Sequence, residues 1–189
     1  MSSDRERPLR MSAEHSVLVL IDYQTRLMPA IYDRDRVTRR AAFTAAVAKE
    51  LGVPVVATAQ NPDKLGPNVE AIATRADVVI DKLAFGACEE GLVAQLDALR
   101  PDAEVVIGGC EAHVCLMQTA LGLLEAGRRV WVLSDGSGSR RPNDRKVAMR
   151  RLGDADATVV TSEMVAFEWL NTSTDEHFRA VSALVKGTD

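Results

Sequence analysis

Six short runs rich in Val and Ile recur along the chain, and they restrict its fold more than any other feature. The runs cover residues 16–22, 53–59, 77–81, 103–109, 129–134 and 157–161. They do not alternate polar with apolar residues, so each run predicts a β-strand that is covered on both faces. Buried strands of this kind are typical of a parallel sheet between two layers of helices.

Segments with helical periodicity fill most of the gaps between these runs. Three apolar stripes lie at helical spacing: Val37, Ala41, Ala45 and Ala48; Leu92, Val93, Leu96 and Leu99; and Met117, Ala120, Leu121 and Leu124, with Gly127 as the predicted C-cap of the third. Further helices are predicted over residues 143–152, 162–170 and 175–186. The alternation predicts the α/β class, as a three-layer α-β-α sandwich with a six-stranded parallel sheet and right-handed crossovers.

The length of the chain favours one domain. Its 189 residues suffice for one sizeable core and are few for two. No repeat or linker divides them, so we expect a single domain over residues 15–189. Residues 1–14 are expected to form a disordered N-terminal lead, since the polar start of the chain has no apolar segment typical of a secretory signal.

Charge and cysteine content disfavour several kinds of partner. The net charge of −4 gives no support for binding to nucleic acid or to an anionic membrane surface. No apolar run approaches the roughly 20 residues that cross a bilayer. Three cysteines without regular spacing argue against a disulfide scaffold and indicate a reducing cytoplasm. We therefore expect a cytoplasmic protein that binds neither nucleic acid nor a membrane surface.

Three reactive side chains follow predicted strands. Asp22 ends the first run, Lys82 directly follows the third, and Cys115 comes shortly after the fourth. Ligands of an open α/β sheet bind beyond the carboxyl ends of its strands, so the acid, the amine and the thiol are expected to meet at one edge. This combination indicates a cysteine nucleophile with its own proton carrier.

Each of these residues also has a structural interpretation. Cys115 lies where a strand gives way to a helix, and the N–H groups and dipole of a first helical turn lower a thiol pKa. A small buried core residue is the commoner role of such a cysteine, and this alternative stays open. Asp22 is either a base or an acid that caps a loop amide. His113 is disfavoured as the activating base, because residues two apart seldom face each other on a helix.

Other motifs predict no cofactor or metal. Residues 136–139 (GSGS) match neither a dinucleotide fingerprint nor a phosphate-binding loop, and they are predicted to form a turn into the helix near Asn143. His15, His113 and His177 are scattered, and no two have the spacing of metal ligands. We therefore expect no metal site and no cofactor.

The order of Asp22, Lys82 and Cys115 resembles that of the isochorismatase-like cysteine hydrolases, which include nicotinamidases and ureidoacrylate and carbamoylsarcosine amidohydrolases. The segments that carry the resemblance are residues 20–24 (LIDYQ), 81–85 (DKLAF), 109–120 (GCEAHVCLMQTA), 134–136 and 157–162. Each segment alone is weak evidence for the family, but three segments in the same order as in the family are specific evidence for it. The resemblance covers most of the chain and implies the six-stranded parallel sheet of that family.

The resemblance also implies a role for each site residue. Cys115 is the implied nucleophile, Asp22 the proton acceptor and donor, and Lys82 the cation that orients Asp22 and favours the thiolate. The implied oxyanion site consists of the backbone N–H groups of Glu111 and Cys115, which a cis peptide between Cys110 and Glu111 would turn inward. The substrate-binding positions implied in this way are Gln24, Phe85 and Ala112.

Two departures from family patterns narrow the expected activity. True isochorismatases cleave a vinyl ether and lack the nucleophilic cysteine, whereas Cys115 favours thiol chemistry on an amide-like carbonyl. Nicotinamidases usually carry an Asp-x-His metal motif and a further histidine after the second strand, but residues 58–67 (TAQNPDKLGP) contain no histidine. The segment looks closer to the poorly characterised isochorismatase-domain proteins.

These observations lead to one hypothesis and one alternative. The hypothesis is a metal-independent cysteine hydrolase that cleaves a small amide or related C–N bond through a thioester. The alternative is a non-hydrolytic scaffold or a redox-responsive thiol protein that retains the fold, although such a protein has no evident need for Asp22 and Lys82. Members of the family usually associate, so we expect a homo-oligomer, with Trp131, Phe167 and Trp169 as apolar candidates for contacts.

Overall fold

A six-stranded parallel sheet forms the centre of the molecule, and the structure, a computed structural model, describes residues 9–187. The strands are β1 Ser16–Ile21, β2 Val55–Gln60, β3 Val78–Lys82, β4 Glu104–Gly109, β5 Val130–Leu133 and β6 Thr158–Val160. They are ordered β3-β2-β1-β4-β5-β6, and every neighbouring pair is parallel. The predicted strands and the predicted α/β class are confirmed.

Eight α-helices connect and cover the strands within the described residues. They are α1 Arg34–Glu50, α2 Pro62–Leu65, α3 Glu70–Ala73, α4 Leu92–Leu99, α5 Met117–Glu125, α6 Pro142–Asp154, α7 Ser162–Leu170 and α8 Phe178–Lys186. Val37, Ala41, Ala45 and Ala48 all lie buried on α1, as their spacing predicts. The C-cap of α5 is Ala126 rather than the predicted Gly127, which comes one residue later with a φ of +77°, the left-handed conformation that commonly ends a helix.

The apolar stripe predicted for α5 is shifted by one residue. Thr119, Ala120 and Leu123 are the buried residues of the helix, whereas Leu121 and Leu124 are only half-buried. A polar threonine can occupy the buried face because its hydroxyl donates to the carbonyl oxygen of Cys115 at 2.7 Å and accepts from the N–H of Ala87.

Two apolar cores lie on opposite faces of the sheet. Val37 and Ala41 of α1, Val165 and Trp169 of α7 and Val181 of α8 pack on one face, together with Leu18 and Leu20 of β1. Leu92 and Leu96 of α4, Leu123 of α5 and Leu152 of α6 pack on the other, with Val17, Val19 and Ile21 of β1. The predicted three-layer arrangement is therefore confirmed.

The two edge strands are less covered than predicted. Val79 in β3 is 51% exposed and Val159 in β6 is 38% exposed, so the expectation that both faces of every strand are covered is wrong for β3 and β6. Short Val-rich runs do not distinguish central from edge strands. Only β1, β2, β4 and β5 have neighbours on both sides.

Part of the expected N-terminal lead packs against the domain. Residues 1–8 lie outside the described residues. Met11 is 3% exposed in the apolar core, and its N–H donates to Glu168 Oε2 at 2.9 Å. The N–H of Ser12 donates to Glu104 Oε1 at 2.8 Å. The expectation of disorder is thus wrong for residues 11–14, because the apolar side chain of Met11 is buried in the core.

The strand order reverses direction between β1 and β4. From β1 the chain proceeds to β2 and β3 on one side, then crosses to β4, β5 and β6 on the other. A crevice at the carboxyl ends is expected at such a point, where ligands of open α/β sheets bind. Asp22 follows β1 and Cys110 follows β4, so both lie at this position. No helix in the described part of the chain is long and apolar enough to span a membrane.

Candidate active site

Asp22 is held at the carboxyl end of β1 by the neighbouring strand. Its backbone has a left-handed conformation with a φ of +55°, and its side chain is completely buried. The hydroxyl of Thr58, near the end of β2, donates to Asp22 Oδ1 at 2.6 Å, and the N–H of Asp22 donates to the carbonyl oxygen of Thr58 at 3.3 Å. Oδ1 is therefore held by Thr58, and Oδ2 remains available to the other residues of the site.

Lys82 supplies the charge that balances Asp22. Its Nζ lies 2.8 Å from Asp22 Oδ2, and neither side chain has any exposed surface. The ammonium also donates to Gln60 Oε1 at 2.7 Å and to the carbonyl oxygen of Phe85 at 3.0 Å. A buried ion pair needs such additional partners, because its charges have lost their hydration.

Cys115 lies in a single π-helical turn, Ala112–Leu116, immediately before α5. It is 6% exposed, and its Sγ lies 4.0 Å from Gln60 Oε1, to which the thiol donates. Burial and the negative charge of Asp22 raise the pKa of Cys115 to about 12, and the charge of Lys82 only partly opposes them. The expectation of a lowered pKa is therefore wrong, because burial and the charge of Asp22 outweigh the groups that lower it.

The turn that carries the implied oxyanion site has the expected backbone form. The peptide bond between Cys110 and Glu111 is cis. The N–H of Ala112 donates to the carbonyl oxygen of Gly138 at 2.7 Å, and the N–H of Val114 to the carbonyl oxygen of Glu111. In the described part of the chain, the N–H groups of Glu111 and Cys115 donate to no acceptor outside the turn. This backbone form is compatible with the implied oxyanion site, which stays a prediction.

Residues 136–140 brace this turn, in addition to leading into α6. The N–H of Gly138 donates to the carbonyl oxygen of Gly109 at 3.1 Å. Arg140 donates to Glu111 Oε2 from its backbone N at 3.1 Å and from Nε at 2.9 Å. His113 Nδ1 lies 3.0 Å from Ser139 Oγ. The sequence interpretation of residues 136–139 as a simple turn therefore missed their contacts with residues 109–113.

Gly109 permits the close approach of β1 and β4 beneath the site. A Cβ at this position would lie 2.5 Å from Cβ of Ile21 and 2.7 Å from its carbonyl oxygen. We expect Gly109→Ala to lower the free energy of unfolding by about 1–3 kcal/mol, because the strands cannot separate without breaking their hydrogen bonds. Urea denaturation measures this change.

Gly153→Ala provides the control for that prediction. Gly153 lies in α6, and a Cβ there would meet only Val159 Cγ2, at 4.0 Å. Alanine is the better helix former, so this substitution should leave the stability unchanged or raise it. Equal stability of the two variants would contradict the importance of the close contact at Gly109.

Two of the three predicted substrate-binding residues face the protein interior. Gln24 is fully buried, and its Nε2 donates to the carbonyl oxygens of Gln60 and Gly66, while its Oε1 accepts from the N–H of Gln60 at 2.9 Å. Ala112 is also fully buried. Neither exposes any surface in this structure, and their contact with a substrate stays a prediction. Phe85 is 55% exposed beside the site and stays a candidate wall residue.

The sequence interpretation missed Gln60 and Thr58, which join the predicted residues to one another. Gln60 ends β2 and lies opposite Lys82 of β3 in the register of the sheet. Thr58 stands opposite Ile21, next to Asp22. The available signal was their position at the carboxyl end of a predicted strand that neighbours both the first and the third.

A cavity at the other end of the sheet is separate from these residues. In the region that the structure describes, no three His, Cys, Asp or Glu side chains come together as metal ligands. A cavity of about 780 Å³ lies at the opposite, amino end of the strands, where Ser12, Glu104 and Arg129 line it. The site at Cys115 is thus separate from this cavity.

Comparisons with known proteins agree with the fold. The chain matches the family model of the isochorismatase domain over residues 16–164. Isochorismatase domain-containing protein 2 of Bos taurus is 33% identical over 186 residues, which cover 98% of this chain and 90% of the bovine protein. The structure of the MAR1 ribonuclease from Caenorhabditis elegans has a TM-score of 0.84 at 28% identity and covers 94% of this chain and 92% of that chain.

A more distant structure shares the same fold. The YcaC gene product of Escherichia coli, described as an octameric hydrolase of unknown specificity, has a TM-score of 0.82 at 20% identity, with 96% of this chain and 97% of that chain covered. The family model spans most of this chain and includes the positions of Asp22, Lys82 and Cys115. The chain therefore belongs to the isochorismatase family of hydrolases.

Proposed function

We propose that this protein is a metal-independent cysteine hydrolase that cleaves a small amide or a related C–N bond. The observation that carries the proposal is the completely buried ion pair of Asp22 and Lys82 beside the thiol of Cys115. Burying two charges is costly, and a hydrophobic pair of similar size often stabilises a fold equally well. The stability of the fold alone therefore does not explain this ion pair. A proton carrier for the thiol gives this pair a chemical purpose.

The proposed reaction has two halves. In the first, Asp22 Oδ2 takes the thiol proton, and Sγ of Cys115 attacks the carbonyl carbon of the amide. The N–H groups of Glu111 and Cys115 stabilise the negative oxygen. The C–N bond then breaks as Asp22 returns the proton to the leaving nitrogen, which departs as an amine or ammonia. A thioester between the acyl group and Cys115 remains.

In the second half, water resolves the thioester. Asp22 takes a proton from the water molecule, and the resulting hydroxide attacks the thioester carbon. The C–S bond breaks, the carboxylic acid product forms, and the proton on Asp22 returns to sulfur. Lys82 keeps its positive charge throughout. This charge balances the carboxylate of Asp22 when the thiol is neutral, and the thiolate of Cys115 when Asp22 holds the proton.

The raised pKa of Cys115 supports this proposal over the redox-responsive alternative. A sensor thiol is oxidised as a thiolate and therefore requires a lowered pKa and access to solvent. Cys115 is 6% exposed, and its pKa is raised to about 12. A thiol with this pKa needs a base in contact with it before it can act as a nucleophile, and Asp22 is that base in the proposed mechanism.

A trapped thioester is the direct test of the proposed function. Small amides, lactams and carbamoyl compounds are incubated with the protein, the reaction is quenched with acid, and peptides are analysed by mass spectrometry. We expect the acyl part of a hydrolysed compound to be attached to Cys115. Hydrolysis of a compound without any such adduct, under conditions where its hydrolysis is slow enough to trap intermediates, would contradict the mechanism.

The pH dependence of alkylation should reveal the raised pKa of Cys115. Iodoacetamide reacts with the thiolate, so its rate with Cys115 should rise about tenfold for each pH unit between 7 and 10. Peptide mass spectrometry separates Cys115 from Cys88, whose pKa burial and nearby Glu125 and Glu89 raise to about 11. A plateau of the Cys115 rate below pH 9 would contradict a raised pKa for this thiol.

Asp22→Asn gives the matched variant for this measurement. The substitution removes a negative charge that raises the pKa of Cys115 and leaves the positive charge of Lys82, which lowers it. Alkylation of Cys115 at pH 8 should therefore become at least about tenfold faster, while amide hydrolysis is lost with the base. Slower alkylation in this variant would show that Asp22 does not raise the pKa.

The charge distribution favours a small neutral substrate over RNA, although the structural neighbour from Caenorhabditis elegans is named a ribonuclease. The chain has a net charge of −4. Lys82 is buried against Asp22, and Arg140 is paired with Glu111. Binding of an RNA backbone requires several available cations, and its affinity falls steeply with salt. Salt-dependent binding of single-stranded RNA in the micromolar range would contradict this part of the proposal.

We also propose that the protein forms homo-oligomers. Val79, Leu83 and Phe85 are more than half exposed in and just after the edge strand β3, and such apolar side chains favour association. The Escherichia coli YcaC protein of the same fold is described as octameric. Trp131 and Trp169 are buried core residues, so they are wrong as contact candidates, whereas Phe167 is 44% exposed. Light scattering that gives a monomer mass would contradict association.

A further inference from the structure

We infer that Gln60 is a positioning residue of this site, which holds the Cys115 thiol and the Lys82 ammonium on one side-chain oxygen. This inference rests on the proposed function. Gln60 Oε1 accepts a hydrogen bond from Lys82 Nζ at 2.7 Å and lies 4.0 Å from Cys115 Sγ, which donates to it. The glutamine thus connects the nucleophile with the cation through one neutral acceptor.

The orientation of the Gln60 amide is determined by its other hydrogen bonds. Its Nε2 donates to the carbonyl oxygen of Leu83 at 2.7 Å. An amide rotated by 180° would place its NH2 group against the ammonium of Lys82 and would lose the acceptor at Leu83. Oε1 therefore has to face Lys82 and Cys115.

The backbone of Gln60 is also held in place, by the side chain of Gln24. Gln24 Oε1 accepts from the N–H of Gln60 at 2.9 Å, and Gln24 Nε2 donates to the carbonyl oxygen of Gln60 at 3.0 Å. This pair of bonds fixes the last residue of β2 relative to the end of β1. A fully buried glutamine with every polar atom used in this way supports another residue rather than a substrate.

Two acceptors are available to the thiol proton before reaction. Gln60 Oε1 lies 4.0 Å from Sγ, and Asp22 also accepts a hydrogen bond from the thiol. An amide oxygen accepts a hydrogen bond without taking the proton, so it stabilises the neutral thiol. Rotation about the Cβ–Sγ bond of Cys115 then brings the proton to Asp22 Oδ2. Gln60 thereby keeps sulfur in place until that transfer occurs.

Two substitutions of Gln60 should change the alkylation of Cys115 in opposite directions. Gln60→Met keeps the length of the side chain but removes the oxygen, so the neutral thiol loses its acceptor and Lys82 is freed towards sulfur. We expect alkylation at pH 8 to become about three- to tenfold faster. Gln60→Glu adds a negative charge next to the thiol, and alkylation should become slower by a similar factor. A purely structural role predicts no such reversal of sign.

The same variants test the effect on turnover, and Gln95→Met is the control. Gln95 lies on α4, away from the strand ends, and its substitution should change neither measurement. With any amide that the wild-type protein hydrolyses, Gln60→Met should lower kcat/KM by about tenfold to 100-fold, because sulfur is less well positioned. Circular dichroism melting shows whether each variant remains folded.

The outcomes separate this inference from the proposed function. Alkylation requires no substrate, so opposite shifts for Met and Glu support the inference even if no amide is hydrolysed. Shifts in the same direction, or no shift in folded variants, overturn it. Unchanged kcat/KM in Gln60→Met overturns it as well, whereas hydrolysis by the wild-type protein would still support the proposed function.

Discussion

Cys115→Ala should abolish amide hydrolysis, with a loss of about 10⁴-fold or more in kcat. The proposed reaction needs sulfur to form the thioester, and in enzymes of this type the loss of the nucleophile removes most of the catalytic effect. The methyl group of alanine leaves the apolar packing around position 115 largely intact, because Cys115 contributes only its sulfur to that core. Ammonia or amine release from a substrate found in the amide panel measures the change.

Cys88→Ser is the matched control for this prediction. Cys88 is half-buried, and its thiol donates to the carbonyl oxygen of Thr119 at 3.5 Å, a bond that a serine hydroxyl can replace. Its pKa is also raised, to about 11, but no buried acid–base pair adjoins it. We expect normal hydrolysis in Cys88→Ser. Full activity in Cys115→Ala, or the same loss in both variants, would contradict the assignment of the nucleophile.

The convergence of Asp22, Lys82 and Cys115 was predictable because it follows from topology. Parallel strands that alternate with helices place all their carboxyl ends at one edge of the sheet, so residues that follow three different strands meet there. Asp22 and Lys82 satisfy this expectation as a direct ion pair. The cis peptide between Cys110 and Glu111 does not follow from topology. It agrees with what the family resemblance implies for this turn.

The properties of the site that depend on burial were not predictable in the same way. The position of Cys115 before a helix predicts a lowered pKa, but the degree of burial decides the direction of the shift, and burial depends on packing from several elements. The contacts of Gln24 were not predictable either. The family resemblance implies that Gln24 lines the pocket, yet its amide binds the backbone of Gln60 and Gly66, which are far away in sequence.

The edge strands show a similar limit for the fold. The run that becomes β3 has the same Val-rich composition as the central strands, but its exposed Val79 lies on an edge because the chain crosses to β4 after β3. Local periodicity contains no information about which strand becomes an edge. The exposed apolar side chains of β3 and of the following loop are consistent with the association that we propose.

Lys82→Met should lower the free energy of unfolding by about 3–5 kcal/mol, the largest stability effect that we expect from one substitution in this site. Methionine is close to lysine in length and is tolerated in apolar surroundings. The substitution leaves the carboxylate of Asp22 completely buried, with the hydroxyl of Thr58 as its remaining hydrogen-bond donor. Gln60 Oε1 also loses its bond to the ammonium. Urea denaturation at pH 7 measures the change.

Two further variants identify the buried charge as the cause. Lys49→Met removes the cation of the exposed pair between Lys49 and Asp77, which should cost less than about 1 kcal/mol. The double variant Asp22→Asn with Lys82→Met removes both buried charges, and it should be more stable than Lys82→Met alone, because an uncharged amide costs less to bury than an unpaired carboxylate. If Lys82→Met were no less stable than Lys49→Met, the buried pair would contribute little to the fold. A double variant less stable than either single variant would show that packing, rather than charge, determines the cost.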